Sequence, residues 1–448
     1  MKKCLNRPRL VLVALFGLVL TGFASGQTIS EFSAGITASG GPFGITAGPD
    51  GNVWFTEING NRIGKITPLG VVTEFSAGIT AGAHPSGITT GPDGNVWFTE
   101  RSGNRIGQIT PLGVVTEFSA GITGAVVYNI AAGPDGNLWF TEQSGDLIGK
   151  ITPLGVVTEF SSGITSGAGP QDITAGPDGN LWFTEISGRI GKITPLGVVI
   201  EFSTGITPGA QPSGITAGPD GNLWFTEVGG NRIAKITPLG VVTEFTTGIT
   251  PGSVPVAIAA GHDGNLWFTE NGGDRIGRIT PLGVVTEFSA GITPGAFLFG
   301  ITAGPDHNLW FAEDGGNRIG RIALGSNYYT VTPCRVIDTR NPVGPYGGPA
   351  LVANADRSFV IANQCGIPSS AVAVSSNITV TQPTSLGDLR LFPGGASLPL
   401  VSTLNWRAGQ TRANNAILSL GSSGDIVVHV DQASGTVHFI IDVTGYFQ

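Results

Sequence analysis

The residues that most often announce chemistry are scarce in this chain. Of 448 residues only 12% are charged and 8% aromatic, with one Met, three Cys and five His. Lys and Arg total 23 against 31 Asp and Glu, a net of −8, and the basic residues form no cluster past the N-terminus. That balance argues against nucleic acid and against anionic membrane surfaces as partners. No nucleophile elbow, phosphate loop or metal-spaced His/Cys cluster occurs. Helical apolar periodicity of useful length is missing too. What abounds is glycine, at 71 positions, and proline, at 29, in a chain that is still 40% hydrophobic. Such a composition belongs to many short strands joined by tight turns, not to a disordered tail. The length allows two or three domains and a large core.

Residues 1–26 stand apart. Lys2, Lys3, Arg7 and Arg9 precede an apolar run from Leu10 to Leu20, and Ala24-Ser25-Gly26 offers a small-residue cleavage site before Gln27. This reads as a signal peptide, placing the mature chain outside the cell or on its surface. An uncleaved anchor is the alternative, but the run falls short of the roughly 20 residues a spanning helix needs. Cleavage leaves 19 basic residues against 31 acidic ones, a net of −12. Cys4 departs with the leader, and Cys334 and Cys365 remain as an even pair in an oxidising compartment. A disulfide between them is expected, worth roughly 3 kcal/mol in the loop-entropy account. Two buried thiols are the alternative.

A repeat dominates the rest. The string G-[PH]-D-[GH]-N-[VL]-W-F-[TA]-E occurs seven times, with its tryptophan at 54, 97, 139, 182, 224, 267 and 310, a period of 42 or 43 residues. Each copy reads as four strands: G-I-T-A, then N-[VL]-W-F-T-E after a Pro-Asp-Gly-Asn turn, then R-I-G-[KR]-I-T, then G-V-V-T-E-F. Four strands repeated seven times predict a seven-bladed β-propeller over residues 27–325. The fourth strand is absent after the last copy, and its counterpart, Thr28-Ile29-Ser30-Glu31-Phe32, lies at the mature N-terminus. The first strand should therefore complete the last blade and close the ring.

Seven copies serve as an internal alignment. Between residues 27 and 325 there are 25 acids, and 21 recur in every blade: the turn Asp, the W-F-T-E Glu and the fourth-strand Glu. Seven copies of one residue are fixtures of the scaffold, capping turns and stitching blades. Only Asp146, Asp172, Asp274 and Asp314 break the pattern. Variation gathers before strand one, at Phe43, Ser86, Tyr128, Gln171, Ser213, Val256 and Phe299, and just after W-F-T-E. Both places belong to one face of the ring, which is expected to form a ligand mouth; drift on solvent loops is the other reading.

The blade strings resemble those of the virginiamycin B (streptogramin B) lyase family, over about residues 28–323. The resemblance implies a propeller that linearises a cyclic peptide antibiotic by elimination, with a magnesium ion and a general-base His. In the family's pattern Glu-Pro-His-Gly precedes strand one of the last blade, a second His precedes strand one of the sixth, and a second Glu follows the last W-F-A. Here those places read Phe297-Leu298-Phe299-Gly300, Val256 and Asp314. Only Asp314 is a plausible match, and Phe299 cannot abstract a proton.

Of the five His, His262 and His307 replace residues of the Pro-Asp-Gly turns and read as turn residues. His84 precedes strand one of the second blade and is the one propeller His expected at the mouth. The candidate lining is thus Phe43, His84, Tyr128, Gln171, Asp172, Val256, Phe297 and Phe299. His84 and Asp314 are the only candidates for catalysis, and Asp314 for a metal. Residues 326–448 break the repeat and predict a β-sandwich or jelly-roll-like domain. Its strings Pro333–Arg340, Thr411–Asn415 and Asp442–Phe447 resemble a module recurring in secreted bacterial proteins, and Asp338, Arg340, Arg412 and Asp442 are expected to form a polar network or a glycan site.

These observations favour an extracellular, monomeric binding or scaffold protein for a small molecule, peptide or glycan, with no cofactor. The alternative is a divergent lyase acting on cyclic depsipeptides or lactone-like esters, for which magnesium would be required.

Overall fold

The computed structural model of the protein describes residues 27–123, 126–325 and 328–447; the expected signal peptide lies outside them. Each repeat folds locally for the reasons its turns dictate. In the first blade Pro42–Ala47, Val53–Glu57, Arg62–Ile66 and Val72–Phe75 pair antiparallel in chain order. Gly51 closes the first hairpin at φ +75°, a conformation glycine adopts without penalty. His307 takes the same place in the seventh blade at φ +62°.

Seven such four-stranded sheets make the ring. In the seventh, Thr28–Phe32 pairs antiparallel with Arg318–Ala323, from Thr28 opposite Ala323 to Phe32 opposite Ile319. Chain ends 295 residues apart in sequence are thereby bonded edge to edge.

Adjacent blades are joined by tryptophan. Trp54 donates its indole N–H to Asp50 at 3.0 Å and stacks on Phe75 with centroids 5.6 Å apart. The ring is wholly buried, and it packs among Ile63, Ala83, Ile88, Val96 and Phe98, largely side chains of the second blade. Trp310 does the same for the first blade, packing with Ile45, Val53 and Phe55 while Phe32 stacks on it at 5.6 Å. Lys65 completes the unit: its ammonium lies 5.0 Å from the Trp54 ring, pairs with Asp50 at 3.2 Å and donates to the Pro111 carbonyl of the next blade.

A second polar device recurs around the ring. The W-F-T-E glutamates are wholly buried, each facing a fourth-strand glutamate. Glu74 accepts from the Thr37 hydroxyl at 2.6 Å, and Arg62 lies within 3.8 Å of both Glu57 and Glu74. Burial, and then the neighbouring Glu74, push the Glu57 carboxyl up to about 8. Where the arginine bonds the inner glutamate at 2.7 Å, as Arg105 and Arg232 do, the value is held to about 7. In the third blade Leu147 replaces the arginine, and Glu142 stands at about 8.

The C-terminal strands form two sheets packed face to face. One orders Tyr328–Asp338, Thr436–Phe447, Ala373–Thr381 and Arg412–Ser419; the other orders Ala355–Val360, Asp425–Gln432, Gly387–Pro393 and Leu404–Trp406. Val374, Ile378, Phe439 and Ile441 meet Phe359, Val428, Leu389 and Trp406 between them. This is a β-sandwich. Cys334 and Cys365 are disulfide-bonded. The polar network forms with one change of membership. Arg335 bonds Asp442 through two nitrogens at 2.8 and 3.0 Å, and Arg340 bonds Asp338 at 2.8 and 2.6 Å. Arg412 lies outside it, donating to the Asn405 carbonyl at 3.5 Å. Among the described residues no helix is long and apolar enough to cross a membrane.

Closure should be separable from blade folding. Phe32→Ala removes the stack on Trp310 and is expected to cost about 3 kcal/mol, read as a lower urea midpoint. Deleting Thr28–Phe32 bares the Arg318–Ala323 edge and should cause aggregation detectable by light scattering.

The glutamate pairs predict an acid-shifted stability optimum. Inner carboxyls raised to about 7 or 8 from 4.5 hold protons that the unfolded chain releases. Their contribution is complete below about pH 4.5 and is lost as pH rises towards 8. Burial pushes the outer Glu74, Glu117 and Glu244 up, but the Thr donors more than offset it and leave them lowered. Their contribution is present above about pH 4.5 and is lost as pH falls below it. Calorimetry should find the melting temperature highest near pH 5 and lower by roughly 10 °C at pH 8.

Candidate functional site

The innermost strand of every blade faces a central channel, and its opening residues build a cup. The register between first and second strands shifts between Pro42 and Ile45, and at the equivalent place in each blade. The two residues so displaced turn one side chain towards the lumen. The W-F-T-E threonine of the preceding blade holds that residue by its carbonyl: Thr56 donates to Ser86 at 2.8 Å, Thr99 to Tyr128 at 2.9 Å, Thr141 to Gln171 at 2.8 Å and Thr269 to Phe299 at 2.7 Å. The seventh blade has Ala312 instead, so Phe43 has no such tie.

The cavity is about 300 Å³ and is walled by Phe43, Tyr128, Gln171, Val256 and Phe299 with the strand residues below them. Its two sides differ. On one, Phe43 lies 4.6 Å from Phe299 and meets Tyr128 edge-on at 6.5 Å, across the small, buried Ser86. On the other, the Gln171 amide donates to Ser213 Oγ at 3.1 Å. All five walls are half-buried, so aromatic faces stay open to a ligand.

Beneath the polar side sit Asn129 and Asp172, at the place that glycine or alanine holds in the other five blades. A Cβ at Gly44 would come within 2.2 Å of the Ser86 carbonyl, and one at Gly300 within 2.6 Å of the Phe43 carbonyl. Where side chains are accommodated they become inter-blade ties. Asp172 accepts from the Asn129 amide, from its neighbour Ile173 N–H at 2.8 Å and from Ile215 N–H of the fifth blade at 2.8 Å. Asp172 is half-buried where it lines the channel, and burial pushes its carboxyl up to about 7 against those three donors. Burial likewise raises the Tyr128 hydroxyl.

Six of the expected residues therefore converge: Phe43, Tyr128, Gln171, Asp172, Val256 and Phe299. Three do not. His84 and Phe297 occupy the residue before strand one, at φ +54° and +49°. That left-handed backbone turns the side chain off the channel and over the loop following its own blade's second strand. His84 Nδ1 meets Ser102 Oγ at 2.7 Å, and a Cβ on Gly315 would come within 2.3 Å of the Phe297 ring. Asp314 lies at the seam of the seventh and first blades, where Asn59 donates to it at 3.4 Å; burial raises it. One neighbour of the cup escaped the sequence reading, Asn129, legible as a break in the glycine position; Arg101, the one basic residue following W-F-T-E, stands among the variable positions of the expected mouth.

The model of the virginiamycin B lyase family matches residues 23–206 and 165–332. A solved streptogramin B lyase is 38% identical, covering 66% of this chain and 98% of its own at a TM-score of 0.62. The virginiamycin B lyase of Staphylococcus aureus is 39% identical over 66% of this chain and 99% of its own, again at 0.62; a catalytically inactive variant of it has been solved with quinupristin at the same level of similarity. The WD40 propeller domain of Doa1, 10% identical at a TM-score of 0.55 over 66% of this chain and 97% of its own, shares the fold alone. No curated protein sequence matches. The magnesium ion implied by the resemblance does not fit the residues present: among the described residues no three His, Cys, Asp or Glu side chains stand together as a ligand set, and the Asp314 carboxylate meets the Asn59 amide while its backbone N–H donates to the Phe297 carbonyl.

Asp172→Ala would strand Ile215 N–H and the Asn129 amide. A loss of about 2–3 kcal/mol is expected, measured by urea denaturation, with Asp172→Asn costing less.

Proposed function

We propose, from the premise that this chain belongs to the virginiamycin B lyase family, that its ring serves as a binding scaffold and not as a lyase. One observation carries the reading. Phe299 stands where the resemblance places a general base, and it packs on Phe43 as part of an aromatic wall. A phenyl ring neither accepts a proton nor ligates magnesium. It offers instead a face for a sugar ring, an aromatic group or an apolar side chain, at about 0.5–1.5 kcal/mol per well-made aromatic contact.

The cavity bounds what enters. A volume of about 300 Å³ sits at the small end for ligand sites and suits one or two fused rings. A cyclic depsipeptide would have to rest on the rim and insert a single side chain. The Gln171 amide and Tyr128 hydroxyl supply directional hydrogen bonds on the polar side. The physiological ligand on this reading is an extracellular small molecule, peptide or glycan, met by an exported protein whose leader is residues 1–26.

Two measurements test it. Streptogramin B incubated with the mature protein, with and without magnesium, should remain cyclic by mass spectrometry. Ring-bearing ligands should bind by calorimetry, with Phe299→Ala and Phe43→Ala each weakening them about three- to tenfold. Turnover abolished by a chelator or by Asp314→Ala would reinstate the lyase reading.

A further inference from the structure

Among the described residues, Arg101 is a cation that the scaffold leaves unused on the mouth side. The third-strand arginines 62, 105, 189, 232, 275 and 318 each pair with a buried or fourth-strand glutamate. The lysines 65, 150, 192 and 235 pair with turn aspartates on the opposite face. Arg101 follows the second strand of the second blade, Val96–Glu100, and among the described residues no carboxylate lies within 4.0 Å of it. Its backbone N–H donates to the His84 carbonyl at 3.2 Å, fixing where the side chain starts. The guanidinium carbon then lies 5.1 Å from the centroid of the Tyr128 ring, which is itself a wall of the cup.

A guanidinium held over an aromatic face by cation–π attraction still has N–H donors free for a planar acceptor. The matching group is a carboxylate, which takes two parallel N–H bonds from that fork. In a chain of net −8, a half-buried cation without a partner is a local reversal of sign beside the aromatic wall, where it attracts the opposite charge. Asp172, the carboxylate that lines the channel, is already engaged by three donors, so the partner that Arg101 lacks would have to come from outside.

We infer that the cup recognises a ring bearing a carboxylate, the ring lying against Phe43 and Phe299 and the carboxylate bonding to Arg101 where it lies over Tyr128. This rests on the reading of the cup as a binding site and narrows it to one chemical class.

The test titrates the full chain with 2-naphthoate and with 2-naphthamide, which share a bicyclic ring and differ in charge. Wild-type protein should bind the naphthoate about tenfold more tightly at low salt, with the preference shrinking at 0.2 M sodium chloride. Arg101→Gln should bring the two probes to equal affinity, and Arg101→Lys should keep part of the difference. Melting curves of both variants establish that each is folded. Equal affinities in wild type, or a preference that survives Arg101→Gln, would overturn the inference while leaving the aromatic cup intact. Binding of neither probe would overturn the cup as well.

Discussion

Everything in the ring depends on how one indole is held. Trp54 is anchored at its nitrogen by Asp50 and along its faces by Phe75 and Lys65, all from its own blade, yet it is buried among side chains of the next. Each blade thus exports its largest apolar side chain to its neighbour, and no blade can complete its core alone. The repeat tolerates little freedom as a result: the tryptophan needs its aspartate four residues earlier, the aspartate needs the turn, and the turn needs a residue at positive φ, glycine in six blades and His307 in the seventh. Such coupling fixes the frame, so a change of one side chain at the mouth alters the site without altering the blades.

Against that frame the cup reads as a set of local exceptions. The W-F-T-E threonines hold the mouth residues by their carbonyls in all but one case, which leaves the side chains free to vary. Within the cup, variation falls on Phe43, Tyr128, Gln171, Val256 and Phe299, and on the two positions below where Asn129 and Asp172 replace glycine. The lining that results is aromatic on one arc and amide-rich on the other. Its contrast with a magnesium-bearing lyase site is one of donor chemistry, not of backbone.

Much of this was legible in the sequence because a sevenfold repeat supplies its own control. The turn aspartates, the paired glutamates and the displaced Thr28–Phe32 strand all stood out as recurrences, and their roles follow from backbone pairing. Side-chain direction was harder. His84 and Phe297 lie only two residues before the lining positions, which are the second residues of strand one, and only a left-handed backbone, adopted equally by Gln211 and Val254, sends them outward. That conformation is usually marked by glycine, and here only Gly41 and Gly169 carry the mark. Arg412 was misjudged for a similar reason: its strand lies at a sheet edge, and Arg335, one residue from Cys334, reaches Asp442 in its place.

The pairing of Thr28 with Ala323 also sets a clock on biosynthesis. The strand that seals the ring is the first of the ring to be made, and its partner follows 295 residues later. At about 5–20 residues per second it waits roughly 15 to 60 seconds as a lone segment while six complete blades accumulate behind it. Its composition suits the wait: Thr28, Ser30 and Glu31 interrupt Ile29 and Phe32, so the segment is too polar to nucleate wrong pairings readily. The ring is therefore an assembly whose order of manufacture runs opposite to its order of completion, and any factor that holds the N-terminal segment also holds the last joint open.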